Sequence, residues 1–450
     1  MNRKTFLKKS LTLIGGLTYG LPLMQECTSS RDLTIESIEW LWFNSGQPYS
    51  TMNNAVKKEN ENNGTTGRIM PLVRIFDRTG RCGCCVGIER RYDTIDAPLI
   101  MKHVSALSAL IGERIHDPYQ IWQRLIHDHI PIPVVNLVDI AIWDLLGIIN
   151  GQSVSDLIGE RVRDSVPYYV STFPDHGQVN DYVEYAIQVK KRGYQGFKVH
   201  PYVLYNPIAH RRRQRSDPRG FPDQDLAIYK AVREVLGDGY PIMADNARTY
   251  TYDQAKRIGR ELDSLSYTWM ESPMPENNKW LKAYSRLRAS IKTPICGPET
   301  IAGSLASRLK WMKRNAVDIN RIDVNHGGFT ACLRLAEICR KAAMPIDLHG
   351  IPMSIYHTPL YAIFDGSVLP WRETHVVSKQ PDASQLPGSI IVNPPDRQWI
   401  RRYPSPNADT HGNCRIDCPI PGMGIEYNWD FIEEAQSRDS ILIPCEQFSQ

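Results

Sequence analysis

The chain has 450 residues, 42% of them hydrophobic and 23% charged. That length accommodates a barrel with a smaller attached domain, and the composition is that of a globular protein rather than a disordered or fibrous one. A formal net charge of +4 is too small to argue for a nucleic acid or an anionic membrane as partner.

Residues 2–9 (Asn-Arg-Lys-Thr-Phe-Leu-Lys-Lys) are basic and precede the weakly apolar stretch Ser10–Leu21. A charged region followed by a short apolar one is the layout of an export signal, and the run is too short and Gly-rich to span a membrane. Residues 1–30 are therefore expected to direct the chain to the periplasm. Arg3-Lys4 resembles the twin-arginine pair of such signals, with Lys replacing the second Arg. Cys27 is a candidate lipid anchor, although Glu26 stands where a small residue is wanted. The alternative is a frayed helix on a cytoplasmic protein.

Strands are expected at Ile35–Phe43, Met70–Phe76 and Cys84–Glu89. The last two flank the turn signal Asp77-Arg78-Thr79-Gly80 and make a hairpin. Between the first strand and this hairpin, Ser45–Gly67 reads as a polar loop. Cys82, Cys84 and Cys85 are the densest of the ten cysteines. A zinc site needs about four ligands, no matching pair stands nearby, and the three read as small hydrophobes. Cys414 and Cys418 pair only if the compartment is oxidising, which sequence leaves open. Helices follow from about Ala97 to Gly151. Val134–Leu146 is apolar nearly all round and should be buried.

From Val166 onward, short apolar strands alternate with amphipathic helices. The strands are expected at Val166–Thr172, Gly196–His200, Pro241–Asp245, Tyr267–Glu271, Thr293–Glu299, Asp318–Val324, Pro345–His349 and Trp371–Val376. Helices fall at Asp225–Leu236, Tyr252–Leu262, Ser304–Arg314 and Thr330–Ala342, and the basic run His210–Arg215 reads as a solvated loop. Alternation of this kind calls for a parallel sheet with right-handed crossovers. Eight such units close into a TIM-type barrel, so the expected class is α/β with a (β/α)7–8 barrel.

Strand after strand ends in an ionisable residue: Lys198 and His200, Asp245, Glu271, Glu299, Asp323, then Asp347 and His349. In a parallel barrel all strand C-termini share the active-site rim. Asp245, Glu271 and Glu299 would converge there, and three carboxylates in one pocket repel unless a cation joins them. Each alone is more simply a helix cap or a salt-bridge partner; three at matching strand ends point to Mg2+, a hard ion that suits oxygen ligands and keeps open positions. Such an ion stabilises the enediolate formed when the proton next to a carboxylate leaves. Lys198 or His349 can then act as general base, with Asp323 orienting His349.

These residues, with Val138-Asp-Ile-Ala-Ile-Trp-Asp-Leu-Leu-Gly147, Arg163-Asp-Ser-Val-Pro167, Gly327-Gly328-Phe-Thr330 and Pro421-Gly-Met-Gly424, resemble the enolase superfamily over about Thr34 to Glu434. The likeness is to its mandelate racemase/muconate lactonizing enzyme-like, acid-sugar dehydratase branch. It implies an α+β capping domain at 31–155, a modified barrel at 160–385, and a segment at 386–450 returning to the cap. It implies Asp245, Glu271 and Glu299 as metal ligands and His349 as the histidine of a His–Asp dyad. Glu373 becomes the acid that hydrogen-bonds a substrate carboxylate oxygen. Three departures stand out. Lys198-Val-His200 replaces the usual Lys-x-Lys, leaving His200 in the place of a base. The dyad aspartate is one place nearer Gly327 than expected, so Asp323 is assigned, with Asp318 as fallback. Tyr202–Asp223 lengthens a rim loop.

Within that branch the expected reaction is dehydration of a sugar acid to a 2-keto-3-deoxy acid. A racemase or epimerase and a cycloisomerase are alternatives, and a non-catalytic sugar-acid-binding protein is a further one. The expected partner is a small carboxylate. Related barrels, by analogy, add a homo-oligomer.

Overall fold

The computed structural model describes residues 33–46, 68–172, 179–200, 220–350, 352–376, 398–404, 409–416 and 420–444. The export segment with Cys27, most of Ser45–Gly67 and of Tyr202–Asp223, the basic run His210–Arg215, and Cys418 lie outside these residues.

Strands β1 (Ile35–Asn44), β2 (Ile69–Asp77) and β3 (Cys82–Val86) form an antiparallel sheet, and Gln436–Pro444 pairs with the outer edge of β1. The hairpin turns where Asp77 Oδ1 accepts from the Thr79 and Arg81 amides, each at 2.9 Å. The seven described cysteines are free thiols, and Cys84 and Cys85 are both buried. Strand β3 is covered on both faces, so alternation leaves neither cysteine exposed.

The eight expected barrel strands are β4 (Ser165–Thr172), β5 (Gly196–Val199), β6 (Ile242–Asp245), β7 (Trp269–Glu271), β8 (Ile295–Gly297), β9 (Ile319–Ile322), β10 (Ile346–Leu348) and β11 (Arg372–Val376). They pair in parallel in the order β10-β9-β8-β7-β6-β5-β4-β11, a nearly closed barrel. Alternation of side chains along each strand stacks the interior in layers. Tyr169, Met243, Trp269, Cys296 and Ile319 form an apolar plug against Trp371. Two residues further along the same strands stand Ser171, Asp245, Glu271, Arg321 and Glu373. A dry floor with an ionisable layer above it is thus written into the period of two.

The 19-residue helix Ile132–Asn150 starts with a proline in its first turn and ends at Gly151, whose φ of +65° suits a glycine cap. By length and composition it would cross a membrane, but 83% of its apolar window is buried inside the protein. It is the core helix, and it carries two buried aspartates. Asp144 accepts from the Cys84 amide at 2.9 Å and the Met423 amide at 2.7 Å. One carboxylate therefore joins the N-terminal sheet, the core helix and the Pro421–Gly424 segment. Asp139 accepts from the Thr330 amide at 2.8 Å and its hydroxyl at 2.5 Å. Burial pushes both carboxyls up to about 7, against the hydrogen bonds they accept.

The Gly-Gly-x-Thr sequence now has a physical reason. Gly327 and Gly328 take φ of +117° and +78°, and a Cβ on Gly328 would lie 2.3 Å from Asp139 Oδ2. Asn136 and Trp122 fix the Gly327 amide and carbonyl at 2.8 and 2.6 Å. The loop leaving β9 is thereby clamped to the core helix. Gly328→Ala should cost about 1–3 kcal/mol, read as a lowered Tm in thermal unfolding; an unchanged Tm would disprove the clamp.

Candidate active site

Asp245 and Glu271 end β6 and β7 and are paired in register; Glu299 stands two residues past β8. Their nearest oxygens lie within 4.8 Å of one another. Glu276 holds the Glu299 end in place, accepting from the Glu299 and Thr300 amides at 2.9 and 2.7 Å. The three carboxylates are electrostatically unequal. Burial drives Glu271 well above the usual range, and Asp245 and Glu299 add to this against Arg321 and Lys198. For Glu299, burial is outweighed by His349, Arg321 and Arg248, which bring it down to about 2. For Asp245, burial is outweighed by His200, Lys198 and Arg321. Hard oxygen donors at this spacing fit a hard divalent cation.

Lys198 is wholly buried. Its Nζ lies 2.6 Å from Glu373, 3.1 Å from Glu271 and 3.7 Å from Asp245. Burial and Arg321 work against its charge, but these three carboxylates prevail and raise it above an ordinary lysine. These contacts favour the ammonium form of Lys198, which stands where the sequence places a candidate base. His200 follows β5 on the same face, with Nε2 2.7 Å from Asp245 Oδ2 and Nδ1 3.0 Å from Ser171 Oγ.

Across the mouth, His349 Nδ1 lies 3.1 Å from Asp323 Oδ2, and its Nε2 lies 3.9 Å from Glu299 Oε1. The other Asp323 oxygen accepts from the Asn325 amide at 2.7 Å, capping the short turn Val324–His326. Asp323 thus both pairs with His349 and caps the turn that follows it. Asp318, the fallback, accepts from Arg288 and from the Ile295 amide. Burial opposes a charged His349, but Glu299 and Asp323 outweigh it and raise its pKa. Asp323→Asn should therefore move any rate limb that needs imidazolium to lower pH and cut kcat by about 10²-fold. A pH–rate profile unchanged in position would contradict that coupling.

Glu373 is ion-paired with Lys198 through Oε1 at 2.6 Å, and its Oε2 accepts from Arg321 Nη2 and from the Gly350 amide, each at 2.8 Å. Against burial, Arg321, Lys198 and His375 hold it well below the usual range. These cations favour the ionised form of Glu373, which stands at the barrel rim where the resemblance places an acid facing a substrate carboxylate.

Sequence reasoning does not single out Arg321, His375 or Arg248. Strand alternation finds the first two, since Arg321 is two before Asp323 and His375 two after Glu373. His375 is buried, its ring 6.5 Å from that of His349. Burial, with the cations around it, lowers His375 to about 3 despite Glu373, which favours the neutral ring. Arg248, at a φ of +66°, brings Nη1 to 3.9 Å from Glu299; no local pattern foretells it.

A D-galactarolactone cycloisomerase of Agrobacterium fabrum is 27% identical over 82% of this chain and 92% of its own length. An arabinonate dehydratase of Saccharolobus solfataricus is 25% identical over 65% of this chain and 74% of its own. A solved D-glucarate dehydratase from Agrobacterium tumefaciens, complexed with magnesium, superposes with a TM-score of 0.71 at 25% identity. It covers 90% of this chain and 100% of that one. Residues 181–431 match the family model described as enolase C-terminal domain-like. With three carboxylates converging at the rim of a parallel barrel, the chain belongs to the enolase superfamily, in its mandelate racemase/muconate lactonizing enzyme-like branch, and is a lyase or an isomerase.

Proposed function

We propose that this protein removes the proton next to the carboxylate of a sugar acid and expels the neighbouring hydroxyl, giving a 2-keto-3-deoxy acid. The observation that carries this reading is the meeting of Asp245, Glu271 and Glu299 within 4.8 Å, beside the His349–Asp323 pair. Mg2+ held by those three carboxylates would neutralise the charge that develops on the substrate carboxylate as its α-proton leaves.

The chain's own groups divide the remaining work. Lys198, set among Glu373, Glu271 and Asp245, places its ammonium beside the carboxylates. His349, favoured as imidazolium, gives its proton to the departing hydroxyl, which leaves as water. Asp323 holds Nδ1, so Nε2 is the atom left to face the site. His200, fixed by Ser171, takes the α-proton. The resulting enol then tautomerises to the ketone, so one water is lost per turnover.

The test is NMR of a sugar-acid library in D2O with Mg2+. A 2-keto-3-deoxy product is expected; absence of both that product and solvent deuterium at the α-carbon would exclude the reading. The 82% coverage by the cycloisomerase favours lactone opening or closing as the second reading, and a lactone substrate converted without loss of water would select it. We also propose export by the basic N-terminal segment. Sequencing the mature N-terminus after cell fractionation tests this, and a cytoplasmic protein starting at Met1 would refute it.

A further inference from the structure

Among the converging carboxylates lies a cation that the proposed reaction does not use. Arg321, in the middle of the short strand β9, is wholly buried. Its Nε lies 3.0 Å from Glu271 Oε1 and 3.5 Å from Glu299 Oε2. Its Nη2 lies 2.8 Å from Glu373 Oε2, and Nη1 is paired with Asp347 and 3.3 Å from the Tyr169 hydroxyl. A guanidinium is planar, always charged, and able to serve several acceptors at once. From one strand it therefore spans carboxylates carried by β7, β10 and β11 and by the segment after β8. Two of those, Glu271 and Glu299, belong to the set that fits the divalent ion. Lys198 reaches only Glu271 and Asp245 of that set at ion-pair distance.

We propose that Arg321 is an internal counter-cation. It holds Glu271 and Glu299 gathered when the divalent ion is away, and it competes with that ion for their charge when it binds. The inference rests on the metal assignment made above. Two cations that share the same anions each diminish what the other gains. Removing one should destabilise the metal-free protein and strengthen binding of the other. A merely structural arginine would lower stability and leave metal affinity alone or weaken it.

The experiment is calorimetric titration with Mg2+ alone, without substrate, paired with thermal unfolding at zero and saturating Mg2+. The wild type is compared with Arg321→Met and Arg321→Lys. The methionine variant should bind Mg2+ about tenfold tighter, while the lysine variant, which keeps the charge, should stay within about threefold of wild type. The gain in Tm on adding Mg2+ should be larger for the methionine variant than for wild type. Equal or weaker Mg2+ binding by the methionine variant overturns the proposal, as does an equal rise in both variants. If the methionine variant does not fold with or without Mg2+, the lysine variant decides: wild-type affinity supports the role, and an altered one refutes it. A wild-type protein that binds no Mg2+ would sink the metal assignment itself, a result distinct from unchanged affinity in the variants.

Discussion

His349→Asn should lower turnover by about 10²–10⁴-fold and leave Mg2+ affinity within about twofold of wild type. The two effects separate because His349 is not among the three converging carboxylates; its Nε2 stands 3.9 Å from the nearest Glu299 oxygen. Asparagine retains a donor near Asp323 but cannot become imidazolium, so the leaving hydroxyl loses its proton source. If His200 takes the α-proton, the variant should still exchange that proton with D2O while forming no product. Steady-state kinetics, calorimetry and NMR exchange together check this. A protein that only binds sugar acids would show little change on this substitution. Wild-type turnover in the variant would remove His349 from the chemistry.

The second large effect is expected for Glu271→Gln. Losing a group that merely orients a metal ligand costs about 10–100-fold in affinity. Losing the ligand should exceed that, with turnover falling to background. Glu271 is wholly buried and touched by both Lys198 and Arg321. Glutamine keeps its shape but withdraws the negative charge both cations share. Arg321 keeps Asp347 and Glu373, and Lys198 keeps Glu373 and Asp245, so the fold should survive for calorimetry to be informative. Unaltered Mg2+ binding would show that the ion sits elsewhere.

The barrel was legible because its strands carry their own signature. Apolar runs end in an ionisable residue, and the helices between them repeat on a helical period. That is why Asp245, Glu271 and Glu299 can be picked out before any coordinates exist. Arg321 was hidden for the opposite reason. An arginine reads as surface, and only the positions of Glu271, Asp347 and Glu373 on other strands make its burial tolerable. The core helix was legible as a buried helix, but its partners were not. Its run looks uniformly apolar, yet Asp139 and Asp144 in its middle fasten Thr330 and Met423, residues far along the chain. Long-range partners of this kind leave no trace in local periodicity. The one-place shift of Asp323 was visible as an irregularity, but the capped turn it makes at Val324–His326 was not.

The outer edge of β1 is completed by Gln436–Pro444, a segment synthesised roughly four hundred residues after it. For on the order of tens of seconds the nascent chain must carry that edge without the strand that completes it. Newly made copies are then open to sticking to one another side by side, and any factor that shelters that early ribbon would raise the yield of native protein.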